Sequence, residues 1–126
     1  MIHTGDIPRL NALRYPDKPA VIREGVGQRT WFELNNRVNQ VARVLRAKGV
    51  RQGDRVLLLA RNRIECVETF FACAKIGALY APINFRFVAT EIEHVVSDSG
   101  AHVFLCDAEY GEMIAAMKAA GKLDQI

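Results

Sequence analysis

Cysteine is scarce and unpaired in this chain: Cys66, Cys73 and Cys106 are the only three. An odd number with no Cys-x-x-Cys spacing suggests neither a disulfide framework nor a cysteine zinc site, and all three are expected to be buried, reduced thiols. Long apolar runs are also missing. None approaches the roughly 18 residues of a membrane span, and the N-terminus lacks the basic segment and apolar core of a signal peptide. The expectation is a cytoplasmic protein. No block of like charge occurs either: 17 basic and 14 acidic residues are spread along the chain for a net charge of +3, which gives little support to nucleic-acid or membrane binding. There is no Gly-x-x-x-x-Gly-Lys-Ser/Thr loop, no Ser/Thr/Gly-rich phosphate segment and no cluster of His with acidic residues. His3, His94 and His102 fall in three different segments. No catalytic residue and no metal site is therefore assigned from the residues.

What is present suits one globular domain, because half of the 126 residues are hydrophobic (50%) and this supplies a core. Asp6 to Tyr15 carries Ile7, Leu10 and Leu13 at helical spacing between Pro8 and Pro16, a short leading helix. Ala20-Val21-Ile22, the glycines Gly25 and Gly27, and Arg29-Thr30-Trp31 read as an antiparallel hairpin. Gly25-x-Gly27 has no third glycine and joins strands, so a phosphate loop is not the simpler reading. Thr30 and Glu33 have capping-box spacing for a helix whose inner face is Leu34, Val38, Val41, Ala42 and Leu45. Arg37, Arg43, Arg46 and Lys48 lie off that face, and Gly49 supplies the stop.

Arg55 to Ala60 is an unbroken apolar run of strand length, the pattern of a parallel strand buried on both faces. Asn62 and Glu65 then read as a cap pair, and Ile64, Val67, Phe70, Phe71 and Ala74 as the inner stripe of the next helix. Gly77 ends that helix. Leu79 to Ile83 is a second strand, Glu91 to Ser97 a helix closing at Ser99-Gly100, and Val103 to Cys106 a third strand. Asp107 is placed to cap a last helix with Met113, Ile114 and Met117 inward. The fold class is α/β: a mostly parallel sheet with flanking helices, βαβαβα from about Arg55, preceded by a short helix and a hairpin. Residues 1–50 form the leading part and 51–126 the parallel unit.

In open parallel sheets ligands bind outside the carboxyl ends of the strands. Those ends release Arg61-Asn62, Asn84-Phe85-Arg86 and Asp107. Asn62 and Asp107 read as caps and Asn84 as a turn residue. Arg86 has no such structural role. It offers a planar fork to phosphate or carboxylate, with a surface ion pair to Glu91 or Glu93 as the alternative.

A series of motifs carries a family resemblance: Pro16-Asp17-Lys18-Pro19-Ala20-Val21-Ile22, Thr30-Trp31-Phe32-Glu33-Leu34, Gly49-Val50 with Gly53-Asp54-Arg55-Val56, Asn62, Lys75-Ile76-Gly77-Ala78, Pro82-Ile83-Asn84-Phe85-Arg86 and Asp98-Ser99-Gly100-Ala101. In this order and spacing the chain resembles the start of the adenylate-forming (AMP-binding) enzymes, above all the fatty-acyl and aryl CoA ligases. The resemblance implies the N-terminal piece of an acyl-CoA synthetase, a partial N-terminal subdomain of a larger enzyme. It implies ATP, CoA and Mg2+ as cofactors of the parent protein, with a fatty or aryl carboxylic acid as substrate. The remainder of the parent chain is the implied partner, since the family's phosphate loop, adenine segment, ribose-binding aspartate and C-terminal lysine all come later.

The fragment alone is expected to be inactive and to self-associate through surfaces that later segments would cover. In some CoA ligases the arginine at the position of Arg86 lies near the CoA phosphates, so Arg86 is the one cofactor-binding candidate. Phe85 departs from the family's proline and frees a backbone amide. Val88 stands where a Ser or Thr cap is usual, which should weaken the following helix by about 1 kcal/mol. The alternatives are a stand-alone α/β binding or interaction module, and an adenylation domain that loads a carrier protein. A Ser/Thr/Gly-rich loop ending in lysine beyond Ile126 would separate the first alternative, and a downstream carrier module would favour the second.

Overall fold

The computed structural model describes residues 1–126. A 3-10 turn, Thr4–Asp6, leads into α1, Ile7–Arg14, with Pro8 in the first turn, where its missing amide costs nothing. Strands β1, Pro19–Arg23, and β2, Gly27–Thr30, pair antiparallel with Arg23 opposite Gly27. Trp31, expected on the returning strand, instead opens helix α2, Trp31–Ala47. The reason is the cap. Thr30 Oγ1 accepts the Glu33 amide at 3.2 Å and Glu33 Oε2 accepts the Thr30 amide at 2.8 Å, so two orphan donors are satisfied and the helix starts directly after Thr30.

From there the chain alternates: β3, Arg55–Leu59; α3, Ile64–Ile76; β4, Leu79–Ile83; α4, Ala89–Ser99; β5, Val103–Cys106; a 3-10 turn, Ala108–Tyr110; and α5, Gly111–Ala119. The three strands form a parallel sheet in the order β4-β3-β5, with Leu59 level with Ile83 on one side and Cys106 on the other. Central β3 is buried on both faces, as its unbroken apolar run predicts. Val56 joins the core under α2 and α3, while Leu57 and Leu59 join a second core with Ile92, Val96 and Met117. Removing each of these side chains from water stabilises the fold by roughly 1.5–3 kcal/mol. Pro82 lies in edge strand β4, where a missing amide is tolerated.

Two local expectations change. The inner face of α3 is Ile64, Glu68, Thr69, Ala72, Cys73 and Ile76, not the stripe through Phe70. Glu68 is 1% exposed and takes two hydrogen bonds from Arg37 of α2, at 3.2 and 3.3 Å. A buried carboxylate needs a cation partner, and that partner lies 31 residues away, out of reach of any local periodicity. Phe70, 41% exposed, turns aside to meet Phe71 and Tyr80 edge-on. Asn62 does not cap α3 either. The helix starts one residue later, with Arg63 at the N-cap and no side-chain cap bond. Helix α4 begins two residues earlier than Glu91 because Glu91 Oε2 accepts the Val88 amide at 2.8 Å. That is half a capping box.

Candidate functional site

The carboxyl ends of the three strands bring together Arg61, Asn84, Phe85, Arg86, Asp107 and Glu109. After β4, Asn84 Oδ1 accepts the Arg86 amide at 3.0 Å and the Asn84 carbonyl accepts the Phe87 amide at 3.0 Å, so Asn84 is the turn residue its type suggests. This turn projects Phe85 and Arg86 into solvent. The Phe85 ring lies 5.5 Å from the Arg86 guanidinium carbon and 5.0 Å from that of Arg61, which arrives from β3. Both distances are within cation–π range. Phe85 thus gathers two arginines at one edge: Arg86 of its own turn and Arg61, which the strand-end position had already placed there.

The two arginines differ in what they have left to offer. Arg61 Nε donates to Glu109 Oε1 at 3.0 Å, and that hydrogen bond holds its guanidinium pKa above the ordinary value. Arg86 has no acidic partner. Glu91 is occupied by the Val88 amide, and Glu93 pairs with Lys122 at 3.2 Å, so the ion-pair alternative for Arg86 is not realised. Its N–H fork remains free for an anion.

Asp107 also departs from its expected part. Its carboxylate leaves the following turn uncapped and accepts instead from the Arg61 amide at 3.2 Å and from Arg63 Nη1 at 2.8 Å. The bond that Arg63 donates to Asp107 raises the pKa of Arg63, and the arrangement ties the end of β3 to the end of β5. Cys106 is exposed and Cys66 half-buried, against the expectation that every thiol is buried. Only Cys73, enclosed between α3 and the sheet, fits it. Cys106 ends the edge strand β5, which leaves a side chain uncovered that a central strand would bury.

No three His, Cys, Asp or Glu side chains converge anywhere in the chain, and both oxygens of Asp107 are engaged by Arg61 and Arg63. These residues do not make a site for Mg2+ or a triphosphate. What they leave is one unpaired, solvent-facing guanidinium, that of Arg86, beside the ion pairs Arg61–Glu109 and Arg63–Asp107. The cavity of about 280 Å³ beside the ends of β3 and β5, walled in part by Arg63, Cys66, Thr69 and Asp107, does not include Arg86. The chemistry of Arg86, not cavity size, marks this edge.

Residues 9–126 match the AMP-binding enzyme family. Among curated relatives, a feruloyl-CoA synthase of Amycolatopsis sp is 44% identical over 119 residues, which are 94% of this chain and 24% of that protein. A fatty acid–[acyl-carrier-protein] ligase, ScoC of Streptomyces coeruleorubidus, is 36% identical over 110 residues, 87% of this chain and 21% of that protein. The chain thus spans less than a third of the length of these relatives. The inhibitor-bound N-terminal domain of FACL13 from Mycobacterium tuberculosis superposes with a TM-score of 0.88 at 35% identity, covering 94% of this chain and 30% of that one. The family match covers nearly the whole chain, and the overall fold superposes on a family member's N-terminal domain. This chain therefore belongs to the AMP-binding enzyme family and corresponds to the N-terminal region of its acyl-CoA ligases.

Proposed function

We propose that residues 1–126 are one piece of the N-terminal subdomain of an ATP-dependent acyl-CoA synthetase, an acid–thiol ligase acting on a fatty or aryl acid. The observation that carries this reading is the match of residues 9–126 to the AMP-binding family together with relatives that are acyl ligases. In such a reaction the carboxylate attacks ATP to form an acyl-adenylate and pyrophosphate, and the CoA thiol then displaces AMP. Mg2+ would neutralise the triphosphate, with ligands from outside this chain. This chain's own part is to fill the sheet and to hold Arg86 at its carboxyl edge. A free guanidinium there presents two parallel N–H groups to a phosphate of CoA.

Two measurements test this. In the full-length protein, Arg86→Ala is expected to raise the KM for CoA by about tenfold while leaving carboxylate-dependent pyrophosphate release unchanged. An unaltered CoA dependence removes Arg86 from the site. The 126-residue chain alone is expected to release no pyrophosphate with ATP and carboxylic acids, and turnover by it would refute the reading. The likeness to ScoC, whose name gives an acyl-carrier protein as acceptor, favours a second reading in which the thiol belongs to a carrier protein. Then the Arg86 change would alter the KM for the carrier and not for CoA.

A further inference from the structure

At the opposite edge of the sheet, where β3 and β4 begin, two open cavities of about 440 and 510 Å³ adjoin and share Arg46, Gln52 and Ile76. Arg46 comes from the last turn of α2, Arg51 from the turn before β3, and Lys75 from the last turn of α3. All three cations line these walls, and none pairs with a carboxylate. The acidic groups near them are already engaged. Asp6 accepts from the His3 amide at 3.0 Å and pairs with Arg9 at 3.5 Å, and Asp54 accepts the Arg51 amide at 2.7 Å. Lys75 Nζ donates only to the neutral amide oxygen of Asn39. Its pKa is lowered, first by burial and then by the charge of Arg9, with Asp6 opposing. Burial and Arg9 thus outweigh what Asp6 returns to this ammonium.

The backbone around the cleft is fixed. The Gly53 amide donates to the Gly77 carbonyl at 2.8 Å, and Gly5 packs directly on the Lys75 backbone. The walls of the first cavity are polar apart from Ala74 and Ile76, and beyond the His3 imidazole neither cavity presents an aromatic ring. Apart from that imidazole the cleft has no ring on which to stack a base, and it has little apolar wall to seat an acyl chain. Its volume exceeds what a diphosphate occupies.

We infer that this cleft between the ends of α2 and α3 binds a small phosphate-bearing polyanion through Arg46, Arg51 and Lys75. Two guanidinium forks and an ammonium on the walls of adjoining cavities that share Arg46 favour an anion with at least two charges and several acceptor oxygens. The site lies a strand's length, roughly 16 Å, from the Arg86 edge, and it does not depend on the role proposed for Arg86.

The test uses inorganic pyrophosphate and inorganic phosphate on the full-length protein with its lysine side-chain carbons labelled, followed by NMR and titration calorimetry at low salt. Saturable binding is expected, tighter for pyrophosphate, with the Lys75 titration moving to higher pH as the anion adds negative charge beside the ammonium. Arg46→Ala with Arg51→Ala should weaken the event that shifts Lys75 by at least about tenfold. Arg86→Ala should leave that event unchanged. A Lys75 titration that stays put at saturating pyrophosphate overturns the inference, as does a shift no larger than chloride produces at equal ionic strength. The Lys75 readout is made in the unmodified protein, so it stands even if the double variant fails to fold.

Discussion

Cys73 has no water around it: the side chain is 0% exposed, and burial pushes its thiol from an ordinary 9.0 up to about 11. The thiolate is disfavoured in the folded state, so the folded chain holds this proton more tightly than the unfolded one. Its contribution to stability is complete below pH 9.0 and is lost as pH rises from there toward about 11. Urea denaturation at pH 8 and pH 10.5 should show a loss of about 2 kcal/mol in the wild type that shrinks clearly in Cys73→Ala. An equal loss in both proteins would place the alkaline sensitivity elsewhere. The same scale explains Arg37. It lies off the apolar face of α2, and its guanidinium reaches the buried carboxylate of Glu68, a pairing that only the approach of α2 to α3 creates.

Two helix junctions show how elements are held. Gly5, in the turn ahead of α1, presses against the end of α3, where an added Cβ would sit 2.6 Å from Lys75 Cα and 2.9 Å from the Ala74 carbonyl carbon. Both are backbone atoms, so neither can swing away. Gly5→Ala should cost about 2 kcal/mol by urea denaturation. Gly111→Ala, at the start of α5 with nothing within 4 Å, should instead be neutral or stabilising by up to about 1 kcal/mol. At α4 the cap is half built, because Glu91 reaches back to the Val88 amide while the valine side chain has no oxygen to return the bond. Val88→Ser should complete it and stabilise the chain by about 1 kcal/mol. No gain in the denaturation midpoint would mean that the helix entrance is fixed by packing alone.

Across the whole molecule, the sheet has only three strands, so β4 and β5 are both edges. Beside β5 runs an apolar groove of about 340 Å³ whose walls include Val41, Val44, Leu45 and Leu105. Open edges beside apolar surface promote association between chains. The 126-residue chain is expected to self-associate, with a mass by light scattering that rises with concentration, and a clean monomer at high concentration would contradict this. No helix is long and apolar enough to cross a membrane.

The sequence by itself determined what local physics controls. The run at β3 announced a strand buried on both faces, Thr30 with Glu33 announced a helix start, and Gly77 at φ 75° announced a helix end. The motif series also reached the family, and Arg86 stood out by its place after a parallel strand and by the resemblance, with an ion pair to Glu91 or Glu93 left open. Tertiary structure decided what depends on partners distant in sequence: Glu68 turned inward because Arg37 meets it, Asp107 bridges two strand ends instead of capping, and Arg61 joins Arg86 across Phe85. Periodicity and capping are energies between residues a few positions apart, whereas a buried charge or a stacked cation is settled only by what the fold brings beside it.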